Sequence, residues 1–372
     1  MALSVIVLTY TQCRKADIVP AEMASAANPS TSPLDGSTLQ ARQDLGKKIF
    51  FDTRLSTPAG QACASCHAPA AAFSDPNHLS TSAGAVNGLF GGRNAPVVTY
   101  AQYAPAFHYD DLNGTYVGGI FWDGRVNTLA EQAKKPFFNP IEMNLSDPAA
   151  LAAKIRSASY YNDFKQVYGA STDANIILSN VGDAIAAYEQ TDIFHPFNSK
   201  FDDVMNGKDR FTADENAGWV LYTGKGKCAN CHVSDPDPVS GKVLFTDYTY
   251  DNIGVPRNSS NKYYQLSTTY NPLGSSWIDY GLGAAGRLND AAAYGQFRVP
   301  TLRNIAKSAP YFHNGVYQTL EQAVHFYNAR DIDHVQPEVA ANVNQEELGN
   351  LGLTAKEEKQ LVAFLKTLSD RN

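Results

Sequence analysis

The sequence predicts a mainly α-helical chain with long loops, on three observations. Several apolar stretches repeat at helical spacing behind a capping box, a Thr followed three residues later by Glu or Gln. Strand-like alternation is scarce. Two Cys-x-x-Cys-His strings, Cys63-Ala-Ser-Cys66-His67 and Cys228-Ala-Asn-Cys231-His232, each follow a helical pattern, so the plan is laid out twice.

The elements follow in order. Leu45, Ile49 and Phe50 recur at helical spacing before the first string. Residues 178–193 read as a helix with Val181, Ile185 and Tyr188 on one face. His195-Pro196-Phe197-Asn198-Ser199 breaks it, which puts a domain boundary there: 38–194 and 195–372. Thr212 and Glu215 make a capping box, with Ala217, Val220 and Leu221 as the apolar face. That helix stops in Gly224-Lys225-Gly226-Lys227, next to the second string. Residues 235–290 are polar and rich in Gly, Asn and Tyr, an irregular excursion. Thr319 with Gln322 starts a helix in which Leu320, Ala323 or Val324, and Tyr327 share one face. Thr354 with Glu357 starts the last, buried through Leu361, Phe364, Leu365 and Leu368.

Composition narrows the function. The 372 residues are 44% hydrophobic and 18% charged, an ordinary globular balance. A formal net charge of −7 argues against nucleic acid as a partner, since such proteins carry a basic footprint. Four of the five cysteines sit in the two strings, so there is no disulfide framework. Residues 1–37 read as a leader and tether. The apolar start is too short to span a bilayer and resembles the tail of a signal peptide, which implies a periplasmic protein. Cys13 is either a lipidated first residue of the mature chain or an incidental one, since Tyr10 and Gln12 fit a lipobox poorly.

Two thiols one turn apart can both add to the vinyl groups of one haem, and the adjacent His meets the iron. The strings therefore predict two covalent c-type haems, with His67 and His232 as iron ligands and Cys63, Cys66, Cys228 and Cys231 as attachment points. A four-Cys zinc site gathers its pairs within a few tens of residues, and a dithiol redox pair needs a βαβ context; neither fits. One His per haem leaves the opposite face of each iron undecided, and that face separates chemistry from electron transfer.

At this level the chain resembles the bacterial di-haem cytochrome c peroxidases and the related MauG-type enzymes. The resemblance runs from about residue 40 onward, on Leu45-Gly-Lys-Lys-Ile-Phe-Phe-Asp52, Arg93-Asn-Ala-Pro96, Phe121-Trp-Asp-Gly-Arg125, Asn139-Pro-Ile-Glu-Met143, Val299-Pro-Thr-Leu-Arg-Asn304 and Ala309-Pro-Tyr-Phe-His-Asn-Gly315. It implies two cytochrome-c-like helical domains, the first haem reacting with H2O2 and the second relaying electrons. It also implies Trp122 between the haems, Gln132 and Glu142 in the distal pocket, and Pro136 overhanging an open site as in the MauG type. A carboxylate over the iron can move a proton from the inner to the outer peroxide oxygen, as base and then acid. Taken alone, Glu142 would read as a surface carboxylate and Trp122 as a core aromatic.

The resemblance has informative departures. Where electron-donating members often close the first haem with a second His, the matching position is Ala83, and His78 and His108 lie out of register. Where ordinary peroxidases place an axial Met on the second haem, this chain has Tyr327, the residue type the MauG type uses; no Met follows Met205. His325 is the rival on that helix, facing away from Tyr327. A phenolate favours higher oxidation states than a thioether does, within a span of ~0.8 V that haem environments cover. The family's calcium ion would use the Asn94 side chain and the Ser308 and Pro310 carbonyls. Gly226 stands where MauG carries a surface Trp two residues before the second string, and neither Trp219 nor Trp277 takes that place. The implied partners are H2O2 and either an oxidisable protein or, as the alternative, a small cytochrome or cupredoxin feeding a detoxifying peroxidase. A pure electron carrier would gain nothing from Gln132 and Glu142.

Overall fold

The computed structural model describes residues 36–371. Cys13 and nearly all of the expected leader lie outside them. The first helix starts at Gly36, so the segment expected to end at residue 37 overlaps it by two residues.

Among the described residues the chain is mostly helical: α1 (Gly36–Phe50), α2 (Cys63–Cys66), α3 (Leu129–Phe138), α4 (Pro148–Arg156), α5 (Tyr161–Tyr168), α6 (Ala174–Glu189), α7 (Lys200–Met205), α8 (Ala213–Thr223), α9 (Leu320–Ala329) and α10 (Ala355–Lys366). Strand among the described residues is confined to two short antiparallel pairs, β1 (His108–Asp110) with β2 (Thr115–Val117) and β3 (Tyr250–Asp251) with β4 (Phe297–Arg298). The three expected capping boxes form. Thr212, Thr319 and Thr354 accept from the backbone N–H three residues on, and Glu215, Gln322 and Glu357 reach back, satisfying donors a helix start leaves open. The helix expected over 178–193 is α6, which starts and ends four residues earlier because Asp173 caps it and a 3-10 turn takes Asp192–Phe194.

Two apolar cores lie on either side of residue 195. The first takes Leu45, Ile49 and Phe50 from α1, Phe137 from α3 and Val181 and Ile185 from α6. The second takes Tyr222 from α8, Val324 from α9 and Leu361, Phe364 and Leu368 from α10 and its end. In each, the helix that enters a Cys-x-x-Cys-His string crosses the last helix of its core at a glycine. A Cβ on Gly46 would stand 1.9 Å from the Ala184 oxygen, and one on Gly218 1.9 Å from the Gln360 oxygen. Only a residue without a side chain permits that approach. This crossing also corrects the expected face of α8. Gly218 and Tyr222 are its buried residues, and Val220, on the opposite side, is 60% exposed.

A second unit is repeated at a constant offset of 191 residues. Phe121 and Phe312 both adopt left-handed φ, 69° and 68°. Ile120 bridges Val126 as Tyr311 bridges Tyr317. Thr128 then caps α3 as Thr319 caps α9. The excursion over 235–290 is irregular, as expected, but it also clamps the other half of the molecule. Asp279 pairs with Arg93 at 2.6 Å, and Arg287 donates to the Asp123 and Gly124 carbonyls at 2.7 and 3.0 Å.

Candidate haem sites

Each string presents its histidine in the same cradle. His67 Nδ1 lies 3.2 Å from the Phe73 carbonyl oxygen and His232 Nδ1 3.1 Å from that of Phe245. Both phenylalanines need left-handed φ, 58° and 54°, to aim those carbonyls, and the Pro96 and Pro300 carbonyls face the same two rings. A carbonyl only accepts, so the proton belongs on Nδ1 and the Nε2 lone pair is free for a metal. Burial holds both rings neutral, His232 down to about 4. Burial also pushes the four thiols up, Cys63 and Cys228 to about 12, opposite to the thiolate character of a dithiol redox pair.

Around the first string, Gln132 and Pro136 stand one turn apart on α3, on one face. The chain folds back directly after that helix. Glu142 N–H donates to Asn139 O at 3.0 Å and Met143 N–H to Pro136 O at 3.2 Å. Burial pushes the Glu142 carboxyl up, opposed by the Arg125 charge and an Asn139 hydrogen bond, and Glu142 in turn raises the Cys66 thiol. The loop bearing Ala83 lies against this site. Gln61 Nε2 donates to Ala83 O at 3.0 Å and lies 3.4 Å from Cys66 Sγ, and Ala85 N–H donates to Glu142 O at 2.7 Å. A closing ligand could sit there, and the residue present offers a methyl group. His78 instead meets Ala309 O at 2.9 Å, and His108 meets Ala106 O on the exposed hairpin.

Around the second string, one cavity is lined by Cys228, Cys231 and His232 and by Tyr327 from α9. Burial and the neighbouring Cys231 and Cys228 raise the Tyr327 phenol. His325 is outside, half-exposed between Glu358 at 2.8 Å and Asp333 at 3.1 Å, as its place on the helix predicts. The offset of 191 gives α3 and α9 their sharpest contrast: Pro136 occupies the place that Tyr327 takes.

Trp122, Asn94, Ser308 and Pro310 line the same cavity. Trp122 Nε1 donates to Asn94 O at 2.9 Å, and Asn94 N–H to His313 O at 2.7 Å. The Asn94 amide nitrogen is turned to the Leu79 and Ser80 carbonyls, both at 3.3 Å, so its oxygen is the end left for a cation. Two groups were not legible from the string spacing. Arg298 is half-buried without a carboxylate partner, its guanidinium meeting the Phe121 carbonyl at 3.3 Å, and the Tyr248 hydroxyl is buried with no protein partner. Both line the cavity. Buried polar groups need partners, and the propionates of a haem are acceptors of the right charge. The residues therefore fit the group. The one available hint was position: Arg298 directly precedes the matching stretch that begins at Val299.

The profile of the di-haem cytochrome c peroxidases matches residues 40–210. Methylamine utilization protein MauG of Paracoccus denitrificans is 38% identical over 91% of this chain and 92% of its own length. The chain belongs to the di-haem cytochrome c peroxidase family. Haem is the cofactor of that family, and the protein is an oxidoreductase of the peroxidase kind. Cytochrome c551 peroxidase of Nitrosomonas europaea is 32% identical over 92% of the chain and 85% of its own. The crystal structure of the diheme peroxidase BthA from Burkholderia thailandensis superposes with a TM-score of 0.75 at 32% identity, covering 90% of this chain and 86% of that one.

Proposed function

We propose that the protein is an H2O2-dependent di-haem oxidase of MauG type that oxidises a partner protein in the periplasm by long-range electron transfer. The observation that carries this is the pair Pro136 and Tyr327, equivalent places in α3 and α9. A proline side chain has no atom to give a metal, whereas a tyrosine oxygen can complete an iron. In this reading residues 38–194 and 195–372 are one haem domain each, attached through Cys63 and Cys66 and through Cys228 and Cys231. His67 and His232 would hold the irons, and Tyr327 would complete the second. Cys13 is the point where a lipid anchor would attach.

The haem irons supply the redox equivalents for splitting peroxide. The rest is the work of side chains. Glu142 takes the proton from the inner peroxide oxygen and delivers it to the outer one, so that water leaves; its raised pKa brings the carboxyl closer to that double duty. Gln132, one turn before Pro136, orients the peroxide by hydrogen bonding. Pro136 and Ala83 keep the space open, since neither offers a ligand. Trp122 would stand between the two haems; its indole is held by Asn94 and its carbonyl by the Arg298 N–H at 2.9 Å. A calcium ion on Asn94, Ser308 and Pro310 would fix that hinge. Maturation of an amine dehydrogenase is not part of the proposal. A Cβ at Gly226 would lie 2.8 Å from the Leu221 oxygen, so the turn has no room for the tryptophan that role uses.

The second reading, a peroxidase fed by a small cytochrome or cupredoxin, is favoured by the likeness to cytochrome c551 peroxidase. Adding H2O2 to the diferric protein with and without a candidate partner separates the two. The proposal expects one high-spin and one low-spin haem at rest, then a covalent change in the partner. Two low-spin haems at rest would sink the open site. Fast steady turnover with a reduced small cytochrome, and no modified partner, would establish the second reading instead.

A further inference from the structure

The helices that enter the two strings, α1 and α8, share their glycine crossing, and the residues around it differ in oxidisability. Aligning Gly46 with Gly218 pairs Phe50 with Tyr222 and Lys47 with Trp219. Phe50 is a hydrocarbon ring packed edge-on against Phe73, Tyr188 and Phe194. Tyr222 is fully buried, lines the second cavity and donates its hydroxyl to the backbone carbonyl of His232. Trp219 stacks on Tyr222 with ring planes 12° apart and centroids at 5.9 Å. It is itself partly exposed, beside the exposed Val220. An indole at the surface thus touches a ring that is hydrogen-bonded to the peptide of the proposed iron ligand. The first half of the molecule has no counterpart, because Lys47 and Phe50 stand in those places.

We propose that Trp219, through Tyr222, is the redox relay by which electrons from an external protein reach the C-terminal haem. The inference rests on the reading above, in which peroxide oxidises the haem pair. Reduction of H2O2 with two protons to two waters draws two electrons, and Trp219 supplies them one at a time. With each, the indole N–H proton goes to water, and the partner's electron and a proton from solvent restore the ring. Tyr222 keeps its proton throughout, since the His232 carbonyl that accepts its hydroxyl is no base; its ring is the bridge. With no partner present, two successive electrons leave the same indole and water adds. The sum is Trp–H plus H2O2 giving Trp–OH plus H2O. Packing alone accounts for the contacts of Trp219 with Phe201 and Phe364, so the test must preserve packing.

The experiment uses the full haem-loaded protein and three variants, Trp219→Phe, Trp219→Tyr and Trp277→Phe. Trp277 packs on Tyr263 and Tyr264, away from the cavity, and serves as the control. Each receives H2O2 without a donor; the haem spectrum is followed back to its resting state and the peptides are weighed. The proposal expects one added oxygen on Trp219 in the wild type. It expects a slower return in Trp219→Phe, recovery of the rate in Trp219→Tyr, and wild-type behaviour in Trp277→Phe. A wild type that reacts with peroxide yet leaves Trp219 unmodified, with Trp219→Phe returning at the wild-type rate, overturns the relay alone. A wild-type spectrum that peroxide does not change overturns the oxidase reading, and the relay with it.

Discussion

Helices α3 and α9 are one construction used twice. Each follows a left-handed phenylalanine in a turn closed by a bridge, and each starts at a threonine capping box. They diverge at the residue two turns in, where α3 has Pro136 and α9 has Tyr327. Proline so deep in a helix costs the bond to the carbonyl four residues back, a loss tolerated here two residues before α3 ends. The comparison shows how a duplicated scaffold makes unequal sites. The backbone gives each helix an equivalent position, and a single residue type decides whether the side chain there can bind a metal.

Glu142→Gln should be the most damaging change on the open side. Removing the proton shuttle is expected to slow reaction with peroxide by ~10²–10⁴-fold while both haem spectra at rest stay unchanged; stopped-flow mixing measures it. The raised carboxyl pKa sets the sign of the pH dependence. As base the group must be ionised, so the wild-type rate should climb with pH through a titration above 4.5, and the Gln variant should lose that limb. A flat wild-type profile would remove Glu142 from the shuttle.

The contrast can be erased from either side. Pro136→Tyr should put a donor over the first haem, turning the high-spin signal low-spin and suppressing peroxide binding. Tyr327→Phe should alter the low-spin spectrum alone, and an unchanged spectrum would rule Tyr327 out as a ligand. The shared crossings give a smaller, symmetric effect. Gly46→Ala and Gly218→Ala each push a Cβ onto a helix carbonyl and should destabilise by ~1–3 kcal/mol in thermal unfolding, with little change in haem spectra. If one were neutral, the two crossings would not be equivalent.

The smallest effect concerns His325, whose pKa its partners Glu358 and Asp333 raise. A raised folded pKa contributes stability below the unfolded value near 6.5 and loses it as pH rises through the folded value. Half-exposed, the cluster is worth at most ~1 kcal/mol. His325→Ala should therefore lower the melting temperature slightly at pH 6 and less at pH 8. Equal effects at both would show that packing, not charge, is lost.

Much of this was legible in the chain because the signals are local. A capping box needs only two side chains three residues apart, so Thr212, Thr319 and Thr354 marked their helices without help from the fold. A Cys-x-x-Cys-His string fits one haem edge on a single turn, and Tyr327 could be put on the inner face of its helix by periodicity. The tertiary structure decided what depends on distant segments meeting. It turned α8 so that Gly218 rather than Val220 is buried, because α10 approaches at that glycine. It set the Ala83 loop against Glu142, and brought Asn94, Ser308 and Pro310 to the same cavity wall. It left Arg298 without a carboxylate partner and the Tyr248 hydroxyl buried without a protein partner there. The sequence by itself determined which residues can bind and where each sits on its own turn. Which of them share a site is set by packing between segments far apart in the chain, and no local spacing encodes that.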